Sequence, residues 1–327
     1  MTIAVVIPYF QRSEGILASA LASVFAQRDV EGVRVVVVDD ASPVPAQREL
    51  ALLNAPTRFP VSVFAQQNAG PAAARNRGLD MLGEDVRLVA FLDSDDTWMP
   101  DHLRNATTAL AQGHDFYFAD FHQPGQIVSA FGRAARLAPA AHPRIAGFDT
   151  LHTYQGDMFA QITMGNVIGT STVVYDFDRF RAQRFDEEFF SAGEDYLFWI
   201  ACARAGARFC FSSDPEVQYG YGVNVYSGSG WGTEGNLLRV HYEMKYRKRV
   251  ADRFELDETQ RRYVTNQIAQ LRIAFVRDVV HRLRHRKPVP LAVLGAQFRL
   301  DPATLFGLPI TAARIALDAL NSRRSSS

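Results

Sequence analysis

Four short apolar runs rich in β-branched residues recur within the first hundred positions, at 3–7, 33–38, 61–64 and 88–92. Each is bounded by turn-forming or acidic residues. Continuous apolar runs of this length suit strands buried on both faces of a parallel sheet. The intervening segments have the opposite character. Residues 15–27 carry apolar side chains at helical spacing, and 68–82 reads as a turn followed by a helix, with Pro71 in its first turn. Strand and helix in alternation imply right-handed crossovers and a doubly wound α/β sheet. Ligands of such sheets bind beyond the carboxyl ends of the strands.

The acidic residues stand at those ends. In LVAFLDSDDTWMP, residues 88–100, an apolar run delivers Asp93, Asp95 and Asp96 together. Clustered hard oxygen donors suit Mg2+ or Mn2+ bridging the phosphates of a nucleotide. The competing reading is a cap and turn before the next helix. A second run, VRVVVVDDASP, ends in Asp39 and Asp40. Capping is the better reading of Asp39, whereas Asp40 suits hydrogen bonding to a ribose or base. The first run ends in IPYFQR, so Pro8, Tyr9 and Arg12 stand where a dinucleotide site needs a glycine-rich turn. An aromatic ring and a cation there can stack on a base and offset phosphate charge. In the segment 66–80, Arg75 and Arg77 are two residues apart and cannot share a helical face. One is expected at the nucleotide and the other at a structural carboxylate.

The composition excludes several classes. With 35 basic and 35 acidic residues the formal charge is zero, without the basic excess that marks a nucleic-acid partner. Two cysteines, Cys202 and Cys210, lie in apolar surroundings and read as buried thiols rather than a disulfide or zinc site. The N-terminus begins a strand at once and no apolar run approaches a membrane span, so a cytoplasmic protein is expected.

Taken in order, IPYFQR, VVDDAS, NAGPAAARNRGLD and FLDSDD, followed by GED at 193–195, resemble the inverting glycosyltransferases of family 2 with the GT-A fold. The resemblance covers about the first 210 residues. It implies a nucleotide pocket lined by Pro8, Tyr9 and Arg12, with Asp40 at the base or ribose and Arg75 near the base or diphosphate. Asp93 would approach the ribose and Asp95 the metal, with Asp96 in support. Glu194 and Asp195 match the family's catalytic pair, Asp195 being the general base. UDP is the implied nucleotide, glucose or galactose the implied sugar, and Mn2+ or Mg2+ the implied cofactor. The arrangement is similar to enzymes of exopolysaccharide assembly, which implies a saccharide or lipid-linked saccharide acceptor. Rival readings are a sugar-nucleotide pyrophosphorylase and a catalytically silent nucleotide-sugar-binding module.

The expected organisation is one GT-A domain, with a nucleotide-sugar half at 1–110 and an acceptor and catalytic half at 111–235. A helical region at 236–327 follows. The loop QYGYGVNVYSGSGWG, 218–232, suits a lid, with Trp231 and Tyr226 as an acceptor platform. A core-anchoring role for Trp231 competes with that. Basic runs at 245–250 and 281–287 read as solvated helix faces, or as attraction to anionic lipid with the apolar segment beyond 289. A homodimer interface would account for the same apolar helices.

Overall fold

The computed structural model describes residues 2–53, 57–190, 193–222, 231–233 and 235–306. The chain divides into two compact units, the first drawn from 1–190 and 194–224, the second from 191–193 and 225–327.

The first unit is built on one sheet. Strands β1 (Thr2–Tyr9), β2 (Val33–Asp39), β3 (Val61–Ala65) and β4 (Val86–Phe91) pair in parallel in the order β3-β2-β1-β4. Their crossovers are helices α1 (Ile16–Phe25), α2 (Ala46–Ala51) and α3 (Gly70–Asp80). Helix α1 buries Leu17, Ala20, Leu21 and Val24, the stripe that its 3.6-residue period predicts. Helix α3 lies directly on β1, because a Cβ at Gly78 would stand 2.5 Å from Val6 Cγ1. The strip of small side chains Ala72–Ala74 permits the same approach.

The second half of the sheet is mixed. A two-residue strand β5 (Thr97–Trp98) and helix α4 (His102–Ala111) follow β4. Then come β6 (Phe116–His122), helix α5 (Ala130–Ala134), β7 (Leu151–Thr153), helix α6 (Met158–Gly165), β8 (Val174–Asp176), helix α7 (Glu194–Arg204) and β9 (Phe209–Gln218). Strand β8 runs antiparallel to both β4 and β6, so β6 points the same way as β4. Strand β9 lies parallel to β6 and antiparallel to β5 and β7. The carboxyl ends of β1, β2, β4, β6 and β9 therefore share one edge. Residues 116–121 lack the alternation of a half-exposed strand and form a fully buried one, because both its faces are covered. Gly206, at φ +78°, ends α7, with the Ala207 amide reaching back to the Cys202 carbonyl. Cys202 and Cys210 are buried free thiols, and burial pushes both well above the usual thiol range.

The second unit contains α8 (Asn236–Arg253), α9 (Glu258–Arg284) and α10 (Leu291–Leu300). Leu237, Val240, Phe275 and Val279 form its core. A capping box between Asp257 and Gln260 starts α9. Buried Asp301 accepts from Arg272 at 2.7 and 2.9 Å and pairs with Lys248 at 3.1 Å. Part of the 245–250 basic run is thus tied to a local acid. Among the described residues no helix is long and apolar enough to cross a membrane.

Candidate active site

The turn after β4 brings three aspartates to the common edge, and the structure separates their roles. Asp93 and Asp95 remain partly exposed, whereas Asp96 is only 3% exposed. Asp96 accepts the Ser171 hydroxyl at 2.5 Å and the Gly220 amide at 3.0 Å. Both Asp96 oxygens, expected from the sequence to stand with Asp93 and Asp95 as metal ligands, are thus engaged inside the fold. Asp95 Oδ2 takes the Gly222 amide at 2.9 Å. Burial, reinforced by the charge of Asp93, pushes the Asp95 carboxyl above its usual range. Asp93 accepts Arg75 Nη2 at 2.7 Å. Among the described residues no three His, Cys, Asp or Glu side chains converge as a metal cage. Asp93, paired on one oxygen with Arg75, and the partly exposed Asp95 offer hard oxygen donors of the kind a divalent cation takes.

Arg75 departs from its expected place beside the nucleotide. It is 4% exposed and bridges Asp93 to Glu194 Oε1, the latter at 3.2 Å, with its guanidinium 5.4 Å from the Phe185 ring centroid. Its close neighbour Arg77 is the exposed member of the pair, as their spacing requires. Tyr9 also departs. Alternate side chains of β1 face opposite sides of the sheet, and Tyr9 follows Ile3, Val5 and Ile7 into the core. Fully buried, its ring has no face for a base, and burial pushes its hydroxyl up to about 12. Pro8 is buried beside it; Arg12 is exposed on the loop beyond.

Asp39 holds the turn after β2, its two oxygens accepting the Ser42 and Ala46 amides at 2.8 Å each. Asp40 is 3% exposed and does the same for the next crossover, accepting Gln66 Nε2 at 2.7 Å and the Ala69 and Gly70 amides at 2.8 Å. Gly70, at φ +89°, makes that turn, and a side chain there would meet the Phe190 ring at 2.9 Å.

Glu194 and Asp195 open α7, where the positive end of the helix dipole favours carboxylates. Glu194 is buried, and its Oε2 has no hydrogen-bond partner among the described residues. Asp195 is partly exposed and accepts the Thr170 hydroxyl at 3.2 Å. Desolvation first, then the charge of Glu194, pushes its carboxyl up to about 7, against the pull of Arg75 and the Thr170 and Tyr196 donors.

Thr170 and Ser171 were not singled out from the sequence. They lie on one 3-10 turn, Thr170–Thr172, just before β8. Thr170 holds Asp195, while Ser171 binds Asp96 and its oxygen accepts the Asp93 amide at 3.0 Å. Adjacent hydroxyls on a non-periodic segment give no local pattern; only the fold brings them to the aspartates. Behind them, buried Glu216 gathers His102 Nδ1 at 2.8 Å, Tyr117 at 2.7 Å and Asn105 at 2.7 Å, and Trp98 Nε1 donates to the Ser171 carbonyl at 2.7 Å. Tyr226 lies outside the described residues. Trp231 belongs to the second unit, is 57% exposed and sits with its ring 5.7 Å from that of His281, so it anchors no core.

The sequence pattern described as Glycosyl transferase family 2 matches residues 4–169, half of the chain. The chain belongs to this glycosyltransferase family. Its match includes the turns bearing Asp40, Arg75, Asp93 and Asp95. Succinoglycan biosynthesis protein ExoW of Rhizobium meliloti (strain 1021) is 36% identical over 223 residues, 68% of this chain and 70% of that protein. Succinoglycan biosynthesis protein ExoO of the same organism is 31% identical over 228 residues, 68% of this chain and 59% of that protein. Among solved structures, S. aureus TarS 1-349 superposes with a TM-score of 0.57 at 18% identity, covering 94% of this chain and 83% of that one. The mannosyltransferase PcManGT from Pyrobaculum calidifontis, in complex with GDP-Man and Mn2+, gives 0.56 at 17% identity, covering 98% and 86%. These similarities show the GT-A architecture for this family 2 glycosyltransferase. A glycosyltransferase is thereby favoured over the pyrophosphorylase and the silent binding module.

Proposed function

We propose that this glycosyltransferase moves a hexose, glucose or galactose, from a UDP-sugar to a hydroxyl of a saccharide acceptor, with inversion at the anomeric carbon. One observation carries the reading. Asp195, with its carboxyl pushed up to about 7, is linked to the carboxylate turn after β4 through the adjacent hydroxyls of Thr170 and Ser171. A base that titrates near neutrality is matched to abstracting a hydroxyl proton during attack. The acceptor proton passes to Asp195, the acceptor oxygen bonds to the anomeric carbon, and the bond to the diphosphate breaks with its electron pair leaving on phosphate. Asp95, with Asp93 beside it, would hold Mn2+ or Mg2+ against the diphosphate. When bound, the cation supplies Lewis-acid stabilisation of the departing charge. Arg75 keeps Asp93 and Glu194 in place, and the Asp40 turn frames the nucleotide side. TarS is known in complex with UDP and PcManGT with GDP-Man and Mn2+, which supports a nucleotide-sugar donor and a divalent metal here. Calorimetric titration of UDP should show binding that strengthens with Mn2+ and loses that dependence in Asp95→Ala. Metal-independent or absent UDP binding would refute the donor assignment.

The similarity to ExoW supports an acceptor of the exopolysaccharide-assembly kind, including a lipid-linked saccharide. On that reading the second unit meets an anionic membrane surface from the cytoplasmic side. Trp231, Leu283 and Leu291 are 57%, 66% and 79% exposed, and Arg284, Arg286 and Lys287 are exposed close by in sequence. An amphipathic and basic surface of this kind is drawn to anionic headgroups. The protein is expected to sediment with phosphatidylglycerol vesicles at low ionic strength and to be released as salt is raised. A homodimer that stays in the supernatant while the vesicles sediment would instead assign this surface to a second copy.

A further inference from the structure

The chain leaves β9 as a short strap, residues 219–222, that crosses the carboxylate turn. Gly220 donates to Asp96 Oδ1 at 3.0 Å and Gly222 to Asp95 Oδ2 at 2.9 Å. Both glycines are demanded by space. A Cβ at 220 would stand 1.7 Å from the Asp95 carbonyl oxygen, and one at 222 would stand 2.5 Å from Asp95 Cβ. The strap backbone therefore lies in contact with Asp95. At its start, Tyr219 stacks on Phe121 at 4.4 Å between ring centroids. Its hydroxyl crowds Gly169, the residue before Thr170 that holds Asp195.

Between the two anchored glycines stands Tyr221, 84% exposed. A solitary exposed aromatic is ordinary. Here, however, two amides, two carboxylates and two obligatory glycines fix that residue's backbone beside Asp95. The Tyr221 hydroxyl reaches the turn after β6, 3.9 Å from where a Cβ on Gly125 would sit. That turn leads to Ile127 and Val128, 95% and 54% exposed. The sheet order separates two sides of the site. The Asp40 turn and the end of β1 lie on one side of β4, and the ends of β6 and β9 on the other. A nucleotide framed by the first side leaves the second for the acceptor.

We propose that Tyr221 is the platform of the acceptor-saccharide subsite, its ring packing on the C–H face of the sugar that receives the new bond, with Ile127 at the rim. This rests on the proposed transfer to a saccharide. A pyranose ring pairs an apolar face with a polar edge, and tyrosine offers a rigid apolar face with a polar tip. Its place on the strap sets that sugar beside Asp95, toward the turn after β6. The platform expected at Trp231 thus has a counterpart inside the first unit.

Saturation-transfer NMR on the full chain holding UDP and Mn2+ tests this, with methyl β-D-glucopyranoside and methyl β-D-galactopyranoside as probes. Ring protons of at least one glycoside should receive saturation from wild type. The effect should fall about fivefold or more in Tyr221→Ala and persist in Tyr221→Phe. Equal transfer in Tyr221→Ala, loss in Tyr221→Phe, or no transfer in wild type would each overturn the platform. UDP affinity measured on the same sample reports separately on the donor reading.

Discussion

Asp195→Asn is expected to lower kcat by about 10²–10⁴ while leaving UDP affinity within about twofold of wild type. The substitution preserves shape and the contact to Thr170 but removes the base. The pH profile of the wild-type enzyme should carry the same signature. Because the Asp195 carboxyl is pushed up to about 7, the protonated form dominates below that value and cannot accept the acceptor proton. At saturating metal, kcat/KM should therefore rise with pH through an inflection near 7 and then level off. Stability should run the other way. Between the ordinary value of 3.8 and about 7 the folded state retains a proton that the unfolded state has lost, so this group's contribution fades as pH rises through that window. Asp195→Asn should remove that slope in thermal melts. An unaltered kcat, or an inflection that persists unchanged in the residual activity of the variant, would take the base role away from Asp195.

Arg75→Met is expected to destabilise the first unit by about 3–5 kcal/mol, the cost of leaving buried carboxylates without their counter-charge. Arg75 is 4% exposed and serves Asp93 and Glu194 at once. Glu194 is already pushed above its usual range by burial, with Arg75 the main opposing influence. Without the guanidinium, Glu194 should protonate more readily, so the loss measured in denaturant should shrink as pH is lowered. A loss below about 1 kcal/mol at neutral pH would mean that solvent or backbone donors replace the arginine. In that case Arg75 would be free for the nucleotide after all.

Much of the architecture was legible because parallel strands advertise themselves. The runs at 3–7, 33–38, 61–64 and 88–92 each became a strand, and the carboxylates that follow the second and the fourth reached one edge. Asp39 could be read as a turn-former from its neighbours alone. What stayed hidden depends on distance along the chain. Ser171 meets Asp96 across 75 residues and Gly222 meets Asp95 across 127, separations with no local periodicity to betray them. Arg75 illustrates the same point, since its partner Glu194 lies 119 residues away. Tyr9 was misjudged because the turn position was known but the strand phase that sends its ring inward was not weighed.

The adjacent hydroxyls of Thr170 and Ser171 have an evolutionary consequence. On the proposed roles, the carboxylates that face the donor and the base that activates the acceptor are joined by a single peptide unit. Loops on either flank can diverge to suit new sugars without altering the spacing between leaving group and incoming oxygen. A lineage of such enzymes can change what it builds while inheriting one fixed stride between the two reacting partners, and substitutions at 170 or 171 should be tolerated far less than those in the flanking loops.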